Sequence, residues 1–600
     1  MYRPVLDSVA GSLTITALVA MLPLLTLFVL LGVLRLAAWK AALISLAVSL
    51  VVAVAAYSMP AGKAFSAGLE GAAFGFFPIL WIVINAIWLY NMTVETGHFD
   101  VLRRSFAKVS DDQRIQAVII AFCFGALLEA LAGFGTPVAI TSVMLIALGF
   151  RPMKAAVVAL VANTAPVAFG ALAVPITTLA TVSGQSEHHL AQIVGRQTPL
   201  LGVFVPMALV YIVDKGKGVR ATLPATLVCG IAFALAQFAT SNFLSTQLTD
   251  IVAALVGALA VVLLLRVWQP ATAYVETETD EDLVGARSGA AARAADASPA
   301  RGAATPARGD GTGARGAGDS RVSGHRAGEH RHDEPVPSTT AGDLASRDAN
   351  RHDSTADVVR AYAPYLIIIV LFIVAQLPGI KDVLNAPSRA FQWPGLDGLK
   401  TASGKTSTLP LFKLNWLNAA GTLMLIAGLL TIPAIGISPR KALTAYGATY
   451  RQLASAILTV MAVLGLAYVM NSSGQTASLG SWMAGAGAAF AVLSPILGWL
   501  GVAVTGSDTS SNSLFGALQV SAAKDVGLSP ALMAAANSSG GVLGKMVSPQ
   551  NLAIAAAAVG LSGREGDLFR RVVGWSLGFL AFMCVVVYLQ STPVLGWMLP

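Results

Sequence analysis

The sequence predicts an all-α polytopic membrane protein: an inverted-topology repeat with two re-entrant hairpins and two broken helices. Three observations predict it. Of 600 residues, 55% are hydrophobic and 12% charged, with a mean hydropathy of +0.70. Soluble domains carry about 25% charged residues, so a water-soluble enzyme, a nucleic-acid-binding module and a disordered chain are excluded. Apolar runs long enough to cross a bilayer recur along the chain. Two of them are interrupted by Gly and Pro at corresponding places in the two halves, a pattern of secondary transporters.

Run 12–34 follows the N-terminal residues without a cleavage pattern, and reads as a span rather than a signal peptide. Further spans are expected at 41–59, 77–92, 197–213, 221–241, 245–265, 361–379, 416–437, 452–470 and 572–590. Basic clusters orient them: Arg35 and Lys40; Arg103, Arg104, Lys108 and Arg114; Lys215, Lys217 and Arg220; Arg440, Lys441 and Arg451; Arg564, Arg570 and Arg571. Placing all five in the cytoplasm gives one consistent threading, with both termini on the outer side of the membrane. Loop 380–415, with Lys381, Arg389, Lys400, Lys405 and Lys413, dissents.

That threading requires two regions that do not cross simply. Residues 115–149 begin and end beside basic residues and break at 132–137, Ala-Gly-Phe-Gly-Thr-Pro. Residues 481–523 enter from the other side, with a tip at 506–512, Gly-Ser-Asp-Thr-Ser-Ser-Asn. Non-helical backbone at membrane depth survives only where protein or a watery cavity covers it, so both tips should lie inside. A broken span follows each hairpin, at 153–182 and 530–561. In both, an Asn and a small hydroxyl residue (Asn163-Thr164, Asn537-Ser538) precede Gly170 or Gly544 and then Pro175 or Pro549 at equal spacings. The breaks are expected at 163–170 and 537–544. The first repeat is then 1–213 and the second 416–600. Connecting spans in 214–275, segment 276–357, and a span with an external loop in 358–415 join them.

Segment 276–357 holds ten Arg, no Lys and fifteen Asp or Glu, a net of −5, with few large apolar residues. It reads as a disordered cytoplasmic insert, dispensable for transport. The rest of the chain nets +13. Positive inside loops account for that surplus, which also suits an anionic permeant.

Broken helices leave peptide N–H groups unpaired and aim positive dipole ends at the break, which suits a carboxylate. Tips and breaks are therefore expected to meet near the midplane. The candidate substrate-binding residues are Gly135, Thr136, Asn163, Thr164, Ser507, Thr509, Ser510, Asn512, Asn537, Ser538, Ser539 and Lys545. The plainer use of such Gly and Ser residues is close helix packing. Glu129 and Asp508 are the candidate proton carriers, because ionisable groups inside a membrane are costly and rarely idle. Lys545 would pair with the substrate, or structurally with Asp508 or Glu129. Glu70 reads as a boundary carboxylate at the outer surface; His188 and His189 read as solvated. Cys123, Cys229 and Cys584 lie in apolar runs without metal-ligand spacing, so no disulfide, metal or cofactor is expected.

Five motifs carry a resemblance: Trp81-Ile-Val-Ile-Asn-Ala-Ile-Trp-Leu-Tyr-Asn91; Glu129-Ala-Leu-Ala-Gly-Phe-Gly-Thr-Pro137; Asn163-Thr-Ala-Pro166; Gly506-Ser-Asp-Thr-Ser-Ser-Asn512; and Asn537-Ser-Ser-Gly-Gly541 continuing through Gly544-Lys-Met-Val-Ser-Pro-Gln-Asn551. Together they resemble the bacterial L-lactate permeases. The resemblance spans the chain apart from the insert, which is longer than the family leads one to expect. It implies symport of L-lactate, glycolate and related 2-hydroxymonocarboxylates with protons. The implied partners are that small anion, the proton and the lipid bilayer, with no nucleic acid; a homodimer is compatible with the sequence.

Other classes fare worse. Gly398 and Gly404-Lys405-Thr406 mimic a phosphate loop, but five residues separate the glycines where four are needed. No HExxH or GxSxG points to an enzyme. The live alternative is a sodium-coupled carboxylate carrier or a Na⁺/H⁺ antiporter, with Asn163, Thr164, Asn537 and Ser538 supplying oxygen ligands.

Overall fold

A computed structural model describes residues 2–275 and 353–600, except 35, 108, 132, 134, 402, 403, 405, 408 and 409. The expected disorder of the insert therefore falls outside the described residues, as do Arg35, Lys108 and Lys405. Its last residues do not belong to it. Ser354 caps a helix that starts at Thr355, with Asp357 completing a reciprocal capping box.

The first half runs through α1 (Leu13–Phe28), α2 (Ala38–Ala55), α3 (Ala61–Phe74), α4 (Trp81–Glu95), α5 (His98–Ala107), α6 (Gln113–Gln116), α7 (Gly125–Leu131), α8 (Thr136–Ala147), α9 (Pro152–Ala162), α10 (Gly170–Ser183), α11 (Glu187–Ala239) and α12 (Thr249–Leu265). The second runs through α13 (Thr355–Gln376), α14 (Ile380–Asn385), α15 (Ala420–Ile435), α16 (Pro439–Ser473), α17 (Gln475–Met483), α18 (Phe490–Thr505), α19 (Asp508–Val526), α20 (Pro530–Gly544), α21 (Pro549–Ala558) and α22 (Glu565–Gln590). Two short antiparallel strands, Arg389–Gln392 and Leu411–Leu414, lie in the dissenting loop. Among the described residues nine helices are long and apolar enough to cross a membrane, or ten if α9 and α10, bent by 65°, form one span. The protein is a multi-pass membrane protein.

Peripheral helices show how small residues set the packing. On α1, Ala17, Ala20 and Leu24 are buried while Leu18, Leu22 and Leu25 face outward, as a lipid-facing helix requires. α11 holds both spans expected at 197–213 and 221–241, interrupted by non-helical backbone at Asp214 and Lys215. Arg114 holds that bend by pairing with Asp214 at 3.1 Å and Asp112 at 2.6 Å.

Two expectations need correction. Glu70 does not sit at an outer boundary. It lies inside α3, only 1% exposed, because the Gly- and Ala-rich sequence before Phe74 makes a helix that packs on α16. The second break does not fall at 537–544. Those residues continue α20 unbroken, and the helix interrupts at Lys545–Val547 and Ser548. Its glycines admit a neighbour instead of a bend: a Cβ on Gly540 would lie 2.1 Å from the carbonyl oxygen of Pro495, and one on Gly544 2.4 Å from that of Trp499. Small residues at such crossings let helix backbones meet. Gly540→Val should therefore force α18 and α20 apart, at a cost of about 1–3 kcal/mol or more. A thermal melt in detergent should fall by several degrees; an unchanged melt would contradict this packing role.

Candidate functional site

A cavity of about 930 Å³ opens between the two halves of the chain. Its polar wall comes from four places: Glu129 at the end of α7, Gly170 and Ala171 at the start of α10, the turn into α19, and the interruption after α20. The turn into α19 contributes Ser507, Asp508, Thr509 and Ser510, and the interruption contributes Lys545, Pro549 and Gln550.

Local sequence explains each position. Gly506 takes a positive φ of 74° and ends α18; Ser507 then caps α19, its Oγ accepting from the Ser510 N–H at 3.2 Å. Ser548 caps α21 in the same way through the Asn551 N–H, with Pro549 at the first helical position. Two helix N-termini thus face the cavity and give it positive partial charge. The third approach is strained. Ala171, Leu172 and Ala173 all have positive φ, 45°, 59° and 60°, unusual for residues with a Cβ. Such strain persists where surrounding structure enforces it, commonly at functional sites.

Four ionisable residues among those described line the cavity; Glu565 is partly exposed, and Glu129, Asp508 and Lys545 are buried. Lys545 Nζ donates to Glu129 Oε1 at 2.5 Å, with both side chains nearly sequestered (8% and 4% exposed). The other Glu129 oxygen is buried without a partner. The carboxylate lies against bare backbone: a Cβ on Gly170 would sit 2.7 Å from Glu129 Oε1. Asp508 is held differently. Its Oδ2 accepts from Ser538 Oγ at 2.5 Å and Asn512 Nδ2 at 3.2 Å, while Oδ1 has no partner. Among the described cavity-lining residues, Lys545 is the only basic side chain.

The structure sorts the sequence candidates into two groups. Glu129, Ser507, Asp508, Thr509, Ser510 and Lys545 line the cavity together. Asn512, Asn537, Ser538 and Ser539 stand behind it: Asn537 donates to Asn512, and Ser539 donates to Gln197. They brace Asp508 and the helix pair. Gly135 and Thr136 start α8, away from the cavity lining, where a Cβ on Gly135 would meet Ile554. Asn163 and Thr164 lie in the turn after α9, buried, with both Asn163 polar side-chain atoms and the Thr164 hydroxyl unpartnered. The motif partners Asn163 and Asn537 thus sit in unlike places, one at a helix end and one mid-helix. Thr505 and Gln550 also line the cavity. Neither was a sequence candidate, although Thr505 abuts the tip 506–512 and Gln550 lies within the motif Gly544 to Asn551.

The sequence matches the L-lactate permease family over residues 16–300 and 333–594. The chain belongs to the L-lactate permease family. Within reach of this permease family lie a glycolate permease, GlcA, of Escherichia coli K12, 40% identical over 98% of this chain and 97% of its own. An L-lactate permease of Bacillus subtilis is 38% identical over 99% of this chain and 98% of its own. A solved transporter, YdaH of Alcanivorax borkumensis, aligns over 88% of each chain at 14% identity and a TM-score of 0.39. Membership indicates a transporter.

Proposed function

We propose that the protein imports L-lactate and related 2-hydroxymonocarboxylates, glycolate among them, by proton symport. The relatives are named for L-lactate and for glycolate, acids that share a carboxylate with a neighbouring hydroxyl. One observation carries the coupling: the buried part of the cavity lining sets two carboxyls, Glu129 and Asp508, against one ammonium, Lys545. With every group ionised the site is net negative and repels an anion. With one carboxyl protonated it is neutral while empty. A bound monocarboxylate restores neutrality only if one more proton enters with it. Uncompensated charge costs several kcal/mol in a low-dielectric interior, so anion and proton load together.

In the loaded site the substrate carboxylate takes Lys545 and the N–H groups at the start of α19, and Glu129 takes the proton. Thr509 and Ser510 hydroxyls meet the 2-hydroxyl. Trp39, Ser455 and Glu565 line the cavity at one end, and Lys40, Arg451 and Arg564 lie one to four residues from them in sequence. The positive-inside rule assigns that end to the cytoplasm, which makes this conformer inward-open and the termini periplasmic. Repeats 1–213 and 416–600 would rock about the site to exchange its access.

A sodium-coupled reading draws on one observation, the unpartnered oxygens of Asn163 and Thr164. Proteoliposomes separate the two. Lactate should accumulate under an inward proton gradient at equal sodium. Accumulation that ignores the proton gradient and follows sodium would overturn proton symport.

A further inference from the structure

Asp250 is a buried acid for which the cavity mechanism has no use. It lies in the first turn of α12 and is 1% exposed. Its Oδ1 accepts from Gln237 Nε2 at 2.8 Å, and Gln237 in turn accepts from Thr198 at 3.3 Å. Its Oδ2 is buried with no hydrogen-bond partner. Among the described residues no Lys, Arg or His pairs with it.

Its surroundings point one way. α12 packs on α11, α10, α7 and the π-helical turn Ala117–Phe124. α11 presents the Gln237 amide. The turn presents the Cys123 thiol, which lies beside Gly257, further along α12. α7, which continues from that turn, packs on α12 as well, and carries Glu129 six residues after Cys123, toward the end of α12 that holds Asp250. Two acids that repel each other, each with one unpartnered oxygen, are poised to share a proton. Asp250 also sits at the end of α12 opposite Arg266, next to a buried polar connector that includes Thr240, Ser241 and Asn242. The cavity opens at the basic end, where α2 and α22 begin.

We infer that Asp250 is the outer proton carrier for Glu129, on a route separate from the anion's. This rests on the proton-symport reading above. When a substrate carboxylate takes Lys545, the proton on Asp250 passes to the Glu129 carboxylate, directly or through a water. Asp250 is left as carboxylate and Glu129 as acid. Water reaching the 240–249 connector then returns a proton to Asp250. The near-complete burial of Asp250 closes this route in the present conformer.

Asp250→Asn keeps the shape and the acceptor for Gln237 but cannot exchange a proton. In proteoliposomes its lactate counterflow at equal pH should stay within twofold of wild type. Accumulation driven by a proton gradient should fall at least tenfold, and Asp250→Glu should restore most of it. Should the asparagine variant fail to reach the membrane, Asp250→Ser is read by the same pair of assays. Normal gradient-driven accumulation in the neutral variant would overturn the inference. So would an equal loss of counterflow and accumulation that Asp250→Glu does not repair, which marks a packing role. Wild type that ignores the proton gradient would instead overturn the symport reading, and this inference with it.

Discussion

Lys545→Gln is expected to weaken lactate binding about 10- to 100-fold, the equivalent of losing a hydrogen bond to a charged group worth about 1.5–3 kcal/mol. Lys545 is the single basic side chain among the described cavity-lining residues, so no neighbour replaces its charge. The variant also strands Glu129, whose carboxylate loses its only cation. Breaking one side of a buried pair costs about 3–5 kcal/mol, so the single variant should also melt at lower temperature. Combining it with Glu129→Gln removes both charges and should recover most of the stability but none of the binding. Isothermal titration with lactate and a thermal melt, made on both variants, separate the two effects. Normal binding by Lys545→Gln would move the anion site onto helix N-termini and hydroxyls alone.

Glu129→Gln should have the opposite signature. Glutamine keeps a neutral partner for Lys545, as the protonated acid does in the loaded site. Substrate should bind, and exchange of labelled for unlabelled lactate at equal pH should continue, because exchange needs no net deprotonation. Uptake driven by a proton gradient should fall at least tenfold. Asp508→Asn serves as the comparison: its carboxyl is braced by Ser538 and Asn512 and does not contact Lys545 directly. Gradient-driven uptake that survives in Glu129→Gln but fails in Asp508→Asn would transfer the proton role to Asp508.

The chemistry of the cavity was legible in the sequence because its members are anomalies there. Glu129, Asp508 and Lys545 each interrupt a stretch that should be apolar, and Ser507 to Asn512 form a polar run too long for a lipid-facing helix. The role of Asn537 to Gly544 was not legible. Gly and Ser residues look the same whether they break a helix or admit a neighbour, and the difference lies across the interface, in the backbones of Pro495 and Trp499. Glu70 was misplaced for a related reason. Its segment is too poor in large apolar residues to read as a span, yet those small residues are what bring α3 against α16. Asp250 lay inside an expected span, 245–265, but in its first turn, where a carboxylate is ordinarily wet. Only the packing of α12 against α7, the helix of Glu129, reveals it as buried.

The most direct test of the account is the proton count of binding itself. Purified protein in weakly buffered detergent solution, mixed with lactate at fixed starting pH, should take up about one proton for each lactate bound, as the neutrality of a two-carboxyl, one-ammonium site demands. Glu129→Gln combined with Asp508→Asn, which leaves no carboxyl to titrate against Lys545, should bind with no such uptake. Lactate binding to the wild type without proton uptake would contradict the exchange of Lys545 from Glu129 to substrate on which the mechanism stands.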